Sequence, residues 1–238
     1  LKSFQEFELK TAAVVVAAGE GRRMGGVVPK QFQNLIGQPV LVHTLRKLEQ
    51  CAAIDEIVVV VQRDWRQHAT DVTLATGTFR KITQIIAGGT QRQDSVYAGL
   101  KTLDDSIDVV VVHDAVRPFT KDVKIMRVIQ VASESGAAIL AIQPRDTVKR
   151  AAHGFVEETL ERDSLWLVQT PQAFKCSLLI TAYESAFADG VYKTDEAALV
   201  ERIGHPVRIV TGDEGNFKIT LPGDLAIAEK MLESAQCV

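Results

Sequence analysis

From Ala12 to Ile142 the chain alternates short continuous apolar runs with segments of helical spacing, a rhythm few folds can accommodate. Ala12 to Ala18 reads as a buried strand that stops abruptly at Gly19-Glu20-Gly21. A helix over Pro39 to Gln50, with Val40, Leu41, Leu45 and Leu48 on one face, leads to a second strand at Glu56 to Gln62. The pattern continues with a strand at Lys81 to Ala87, a helix at Gln91 to Leu103, a strand at Asp108 to His113 and a helix at Asp122 to Ser135. Gly136 caps that helix, and Ala137 to Ile142 is a further strand. Apolar strands of this kind are covered on both faces, so the expected fold is α/β: a Rossmann-like, mostly parallel sheet with helices on each side. Ligands then bind at the carboxyl edge of the strands.

After Ile142 the rhythm fails. Pro144 to Arg162 is polar, and Thr147-Val148-Lys149 and Phe155-Val156-Glu157 flank a turn at His153-Gly154, as in a projecting β-hairpin. Such an arm packs against something else, a second copy of the chain being the simplest candidate; a mobile surface loop is the alternative. Helices at Ser177 to Ala188 and Asp195 to Ile203, a strand at Val207 to Thr211 and a helix after Pro222 complete the order. No linker or repeat divides the 238 residues, so one domain with an arm at about 144–162 is expected.

Composition excludes several classes. With a net charge of -3 there is no global cationic field for nucleic acid, and no apolar run is long enough to span a membrane. Cys51, Cys176 and Cys237 are odd in number and scattered, which suggests neither a disulfide framework nor zinc and fits a reducing cytoplasm. The start at Leu1 reads as trimmed, so a plastid location after removal of an upstream transit peptide stays open. The five histidines show no metal-ligand spacing, and no nucleophile elbow appears.

Cations and glycines stand where a nucleophile would otherwise be sought. Ala17-Ala18-Gly19-Glu20-Gly21-Arg22-Arg23-Met24-Gly25 follows the first strand directly, with Pro29-Lys30-Gln31 soon after. Backbone N–H groups and three fixed charges at one turn suit a polyphosphate. The turn lacks the Gly-Lys-Ser/Thr of a Walker loop and the third glycine of a dinucleotide fingerprint. Gly88-Gly89-Thr90-Gln91-Arg92-Gln93-Asp94-Ser95 also joins a strand to a helix and could seat a base or a phosphate, or be an ordinary turn with Thr90 as the helix N-cap. At the end of the next strand, His113-Asp114-Ala115-Val116-Arg117-Pro118 offers an acid for hydroxyls and an arginine for phosphate oxygens, unless the two simply pair.

Together these motifs resemble the 2-C-methyl-D-erythritol 4-phosphate cytidylyltransferase family of non-mevalonate isoprenoid synthesis. The likeness runs nearly end to end, through Arg145-Asp146-Thr147-Val148-Lys149-Arg150, Gln169-Thr170-Pro171-Gln172, Thr194-Asp195-Glu196-Ala197 and Asn216-Phe217-Lys218-Ile219-Thr220. The resemblance implies CMP transfer from CTP to methylerythritol phosphate with release of pyrophosphate, in a homodimer joined through the arm. Magnesium would be held mainly by the CTP phosphates, with no metal site built from protein ligands. Arg23, Lys30 and Lys218 would be the catalytic cations. Ala17, Ala18, Gly19, Glu20, Gly21, Gly89, Thr90, Arg92, Ser95 and Ala115 would line the nucleotide pocket. Asp114, Arg117, Thr147 and Thr194 would hold the acceptor, with Arg162 reaching over from the neighbouring subunit. Val116, where many family members carry alanine, keeps the similar ribitol 5-phosphate cytidylyltransferases as an alternative, and a non-catalytic nucleotide-binding subunit is a second.

Overall fold

The computed structural model describes residues 9–19, 21, 24 and 27–236. Its centre is a seven-stranded sheet formed by β1 (Thr11–Ala17), β4 (Glu56–Val61), β5 (Ile82–Ala87), β6 (Val109–Asp114), β7 (Ala137–Ile142), β10 (Leu167–Lys175) and β11 (Arg208–Thr211), in the order β11-β7-β10-β6-β1-β4-β5. β5, β4, β1 and β6 run parallel, as do β7 and β11, while β10 lies antiparallel to both β6 and β7.

Strand alternation divides the core into two layers. Ala13 and Val15 of β1 face one side with Val59, Val111 and Leu140. There they meet α1 (Val40–Gln50) through Leu41, Leu45 and Leu48, and α4 (Asp122–Ser135) through Ile125, Val128 and Ile129. Ala12 and Val14 face the other side with Val58, Val60, Val110 and Val112. That layer is closed by α3 (Arg92–Leu100), α5 (Cys176–Ala188) and α6 (Glu196–Arg202), which contribute Val96, Leu179, Tyr183 and Leu199. All-apolar strands are thus required because both faces are covered. None of the described helices is long and apolar enough to cross a membrane.

The expected helices and strands form, with ends shifted by a few residues. Gly136 stops α4 as expected: its φ is +92° and its N–H donates to the Ala132 carbonyl at 2.7 Å. Four elements were not expected. β2 (Asn34–Leu35) and β3 (Gln38–Pro39) form a small ribbon, and α2 (Arg66–Leu74) follows β4. β10 is the largest omission, since it sits inside the sheet. Its ladder is interrupted between Val168 and Gln172, where Pro171 has no N–H to offer, so alternation does not reveal it.

The hairpin pairs β8 (Lys149–Ala152) with β9 (Phe155–Thr159). His153 and Gly154 have φ of +50° and +84°, the left-handed pair that a two-residue hairpin turn requires. Such a turn pairs the residues directly beside it, so the first strand is Lys149–Ala152 and Thr147-Val148 precede it, a correction to the expected strand at Thr147 to Lys149.

α7 (Pro222–Gln236) closes a third, smaller cluster, in which Leu35, Val40, Val116, Ile219 and Ala228 are buried together. This cluster pins the segment before α7 against the end of β6, where Ile219 N–H donates to the Val116 carbonyl at 3.0 Å. Lys218 is thereby carried to the carboxyl edge of the sheet.

Candidate active site

The chain leaves β1 for β4 and β5 on one side and returns to β6 on the other, so the strand order reverses between β1 and β6. Loops diverge at such a point and leave a crevice. Here it is a cleft of about 810 Å³, lined by the ends of β1, β4, β5 and β6, the start of α3, Lys30, Gln31 and Lys218.

Of the expected nucleotide residues, Ala17, Ala18, Gly19, Gly21, Gly89, Thr90, Arg92, Ser95 and Ala115 line this cleft, as do Lys30, Asp114 and Lys218. Glu20, Arg22 and Arg23 lie outside the described residues. Arg117 is only 8% exposed and sits behind Asp114, donating to the Asn216 carbonyl at 2.7 Å. Thr147 and Arg162 are exposed, Arg162 donating to the Arg145 carbonyl at 2.8 Å, and Thr194 is exposed just before α6. None of these four lines the cleft within one chain.

Local packing fixes the two glycine turns. Gln31 is buried, and its side-chain amide donates to the Ala17 carbonyl at 2.5 Å and to Gly19 at 3.2 Å, tying the first turn to the one-turn 3-10 segment that carries Lys30. Phe32, next in that segment, stacks on Trp65 with ring centroids 4.9 Å apart. In the second turn a Cβ on Gly88 would stand 2.5 Å from Ser95 Oγ and 2.8 Å from the Ala18 Cβ, so only glycine lets the two turns approach this closely. The α3 N-cap is Gln91, not Thr90: Gln91 and Asp94 satisfy each other's backbone in a capping box, leaving Thr90 at the cleft.

Charge converges on one carboxylate. Lys218 Nζ is 2.9 Å from Asp114 Oδ2, Arg117 Nε 3.6 Å from the same oxygen, and Arg92 Nη2 3.6 Å from Oδ1. Burial alone would raise the Asp114 carboxyl; Lys218, Arg92 and Arg117 overcome it and hold the group well below the usual carboxylate range. Burial likewise opposes the Arg92 charge, and Glu196 followed by Asp114 outweighs it. The Glu196 carboxylate, 1% exposed, accepts from Arg92 at 2.6 and 3.1 Å and from the Tyr183 hydroxyl at 3.0 Å.

Beside Asp114, His113 is wholly buried, and burial pushes its pKa down to about 4. Its Nε2 is 3.2 Å from the Arg117 carbonyl, to which the neutral ring donates. With the folded value below that of a free imidazole, the unfolded chain binds the extra proton first. Stability from His113 is therefore complete above about pH 6.5 and falls by about 3 kcal/mol as the pH drops through 4. Chemical denaturation at pH 7 and pH 5 is expected to show a smaller loss for His113→Asn than for the wild type, and equal losses would contradict this.

Four clamps escaped the sequence reading: Gln31, Glu196, Gln172 and Asn216. Gln172 donates to Asp195 at 2.9 Å and accepts from Ala197 N–H at 3.2 Å, fixing the start of α6. Asn216 donates to the Thr170 carbonyl at 2.9 Å and accepts from Thr120 at 2.8 Å. All four sit in or next to motifs that carried the resemblance, but only the tertiary partners distinguish a clamp from a ligand-facing side chain.

Comparison with known proteins agrees with this geometry. The family model for 2-C-methyl-D-erythritol 4-phosphate cytidylyltransferase matches residues 11–234. Enzymes of that name from Syntrophus aciditrophicus and Geobacillus kaustophilus are similar at 46% and 44% identity. The first alignment covers 95% of this chain and 97% of the relative; the second covers 93% and 96%. Among solved structures, 4-diphosphocytidyl-2C-methyl-D-erythritol synthase from Anaerococcus prevotii superimposes with a TM-score of 0.83 at 31% identity, covering 95% of this chain and 97% of that one. The cytidylyltransferase of Thermus thermophilus gives 0.78 at 29% identity, covering 94% and 100%.

Proposed function

The chain belongs to the 2-C-methyl-D-erythritol 4-phosphate cytidylyltransferase family, and from that premise we propose that it transfers CMP from CTP to 2-C-methyl-D-erythritol 4-phosphate. The products are 4-diphosphocytidyl-2-C-methyl-D-erythritol and pyrophosphate. The observation that carries this reading is the meeting of two chemistries in one cleft, where glycine turns and Lys30 form one wall and Asp114, ringed by Lys218, Arg92 and Arg117, forms the other. The first suits a nucleoside triphosphate and the second a polyol phosphate.

An acceptor phosphate oxygen is already an anion at neutral pH, so attack on the α-phosphorus needs no general base. A new oxygen–phosphorus bond forms as the bond to the β-phosphate breaks, and the electron pair leaves with pyrophosphate. The protein's task is alignment and neutralisation of the developing charge. Lys30 and Arg23 serve the triphosphate and Lys218 the approaching acceptor, while Asp114 accepts from acceptor hydroxyls. Ala17, Ala18, Gly19, Gly89 and Ser95 surround the cytidine. Ser95 is itself held by the turn, accepting from Gly89 N–H at 3.2 Å and donating to the Gln91 carbonyl at 3.0 Å.

Among the described residues no cluster of His, Cys, Asp or Glu could cage a metal ion. The one carboxylate in the described lining, Asp114, is engaged by cations. This donor set fits magnesium carried in on phosphate oxygens, where it would add to the charge neutralisation supplied by the lysines and arginines.

The hairpin is the proposed dimerisation arm. Phe155 and Val156 are 77% and 64% exposed on it, and an isolated two-stranded ribbon is only marginally stable in water. In a twofold pair Arg162 of each arm would complete the other chain's acceptor site. Mixing Arg162→Ala with Lys30→Ala chains is then expected to restore activity once subunits exchange, because heterodimers contain one site with neither defect. Strictly additive residual activities under proven exchange would contradict the shared site.

The reaction itself is tested by pyrophosphate release from CTP with methylerythritol phosphate and ribitol 5-phosphate as rival acceptors. Release that depends on methylerythritol phosphate supports the proposal. A preference for ribitol 5-phosphate, or no release with either, overturns it.

A further inference from the structure

Arg92 stands between two carboxylates and binds them unequally. Both of its terminal nitrogens reach Glu196, at 2.6 and 3.1 Å, whereas its approach to Asp114 Oδ1 is 3.6 Å, too long for a hydrogen bond. Asp114 Oδ2 takes Lys218 at 2.9 Å, and Oδ1 accepts no hydrogen bond from any described residue. Asp114 lines the cleft, and Oδ1 is the oxygen of its carboxylate that no described residue hydrogen-bonds.

Glu196 is built to win this competition. It begins α6, whose N-cap Asp195 accepts from Ala198 N–H at 3.2 Å and from Gln172 of β10 at 2.9 Å. The buried Tyr183 of α5 donates at 3.0 Å to the same Glu196 oxygen that takes Arg92 Nη1. A carboxylate fixed from two elements and excluded from water forms the stronger, two-pronged pair with the guanidinium. Stability alone is a weak reason for such a pair, since a buried ion pair seldom outperforms apolar packing.

We propose that Glu196 is a positioning residue that holds Arg92 away from Asp114, leaving Asp114 Oδ1 open to a hydroxyl of the acceptor polyol. The inference rests on the reading that the acceptor sits at Asp114. Without the Glu196 charge, the Arg92 fork turns to Asp114, the other carboxylate beside it among the described residues, and occupies the oxygen that the acceptor needs.

Glu196→Gln keeps the side chain's size and an oxygen for Tyr183 while removing the charge. It is expected to raise the acceptor KM about tenfold or more and to leave the CTP KM within about twofold. The double variant Glu196→Gln/Arg92→Met is expected to have an acceptor KM no higher than Arg92→Met alone, because the effect runs through Arg92. An unchanged acceptor KM, equal losses for both substrates, or additive effects in the double variant would overturn the proposal. If Glu196→Gln does not fold, Glu196→Asp, which withdraws the carboxylate by one methylene, is read by the same criteria. Asp114→Asn separates the premise from the inference. An acceptor KM untouched in that variant removes the acceptor from Asp114, whereas a raised one beside a normal Glu196→Gln defeats only the role of Glu196.

Discussion

Replacing Lys30 by alanine is expected to lower kcat about 100-fold or more, with a much smaller change in CTP binding. The leaving pyrophosphate gains charge only as the bond to the α-phosphorus breaks, so a cation placed there acts mainly on the transition state. Such a contact is worth about 3 kcal/mol. The fold should tolerate the change, because the turn carrying Lys30 is held by other groups. Phe32 N–H donates to the Pro29 carbonyl at 2.9 Å, and Gln31 ties the segment to β1. Steady-state kinetics beside an unchanged melting temperature checks the prediction. Near wild-type kcat would remove Lys30 from the chemistry.

Asp114→Asn is expected to be costly in a different way. The amide cannot balance Lys218, Arg92 and Arg117, and removing one partner of a buried ionic network costs about 3–5 kcal/mol. For a domain of this size that is a fall of roughly 6–20 °C in melting temperature. Acceptor use should fail as well, while the more positive cleft still takes CTP. Because the Asp114 carboxyl is held low, its stability is present above about pH 4 and is lost only as the pH falls further. Of these two groups, His113 and not Asp114 contributes to the loss between pH 6.5 and 4. An unaltered melting temperature in Asp114→Asn would contradict the network.

Much of this architecture can be read from the chain because local pattern and tertiary demand agree. Val14-Val15-Val16 and Val109 to Val112 need cover on both faces and receive it. The glycine turns lie at strand ends because the backbone must pass close there, as the Gly88 contact with Ser95 shows. β10 was hidden for the opposite reason. Its Gln169-Thr170-Pro171-Gln172 stretch is polar in sequence yet buried, and its polar groups are satisfied by Asp213, Asp195 and Asn216, residues distant along the chain.

In the site, residue type announced which groups could meet phosphate but not their order of contact. Arg117 reads as a cleft cation and lies behind Asp114, while Glu196, given no role of its own by the sequence, holds Arg92. That distinction depends on α6 docking against β10 and α5, which no local spacing encodes.

The central claim is that this cleft aligns two bound anions for one direct displacement, with no protein group joined to phosphorus along the way. The most direct measurement is the stereochemical course at the α-phosphorus, using CTP made chiral there with a single sulfur. One in-line displacement predicts inversion in the cytidine diphosphate product. Retention would show two displacements through a covalent intermediate and would contradict the account.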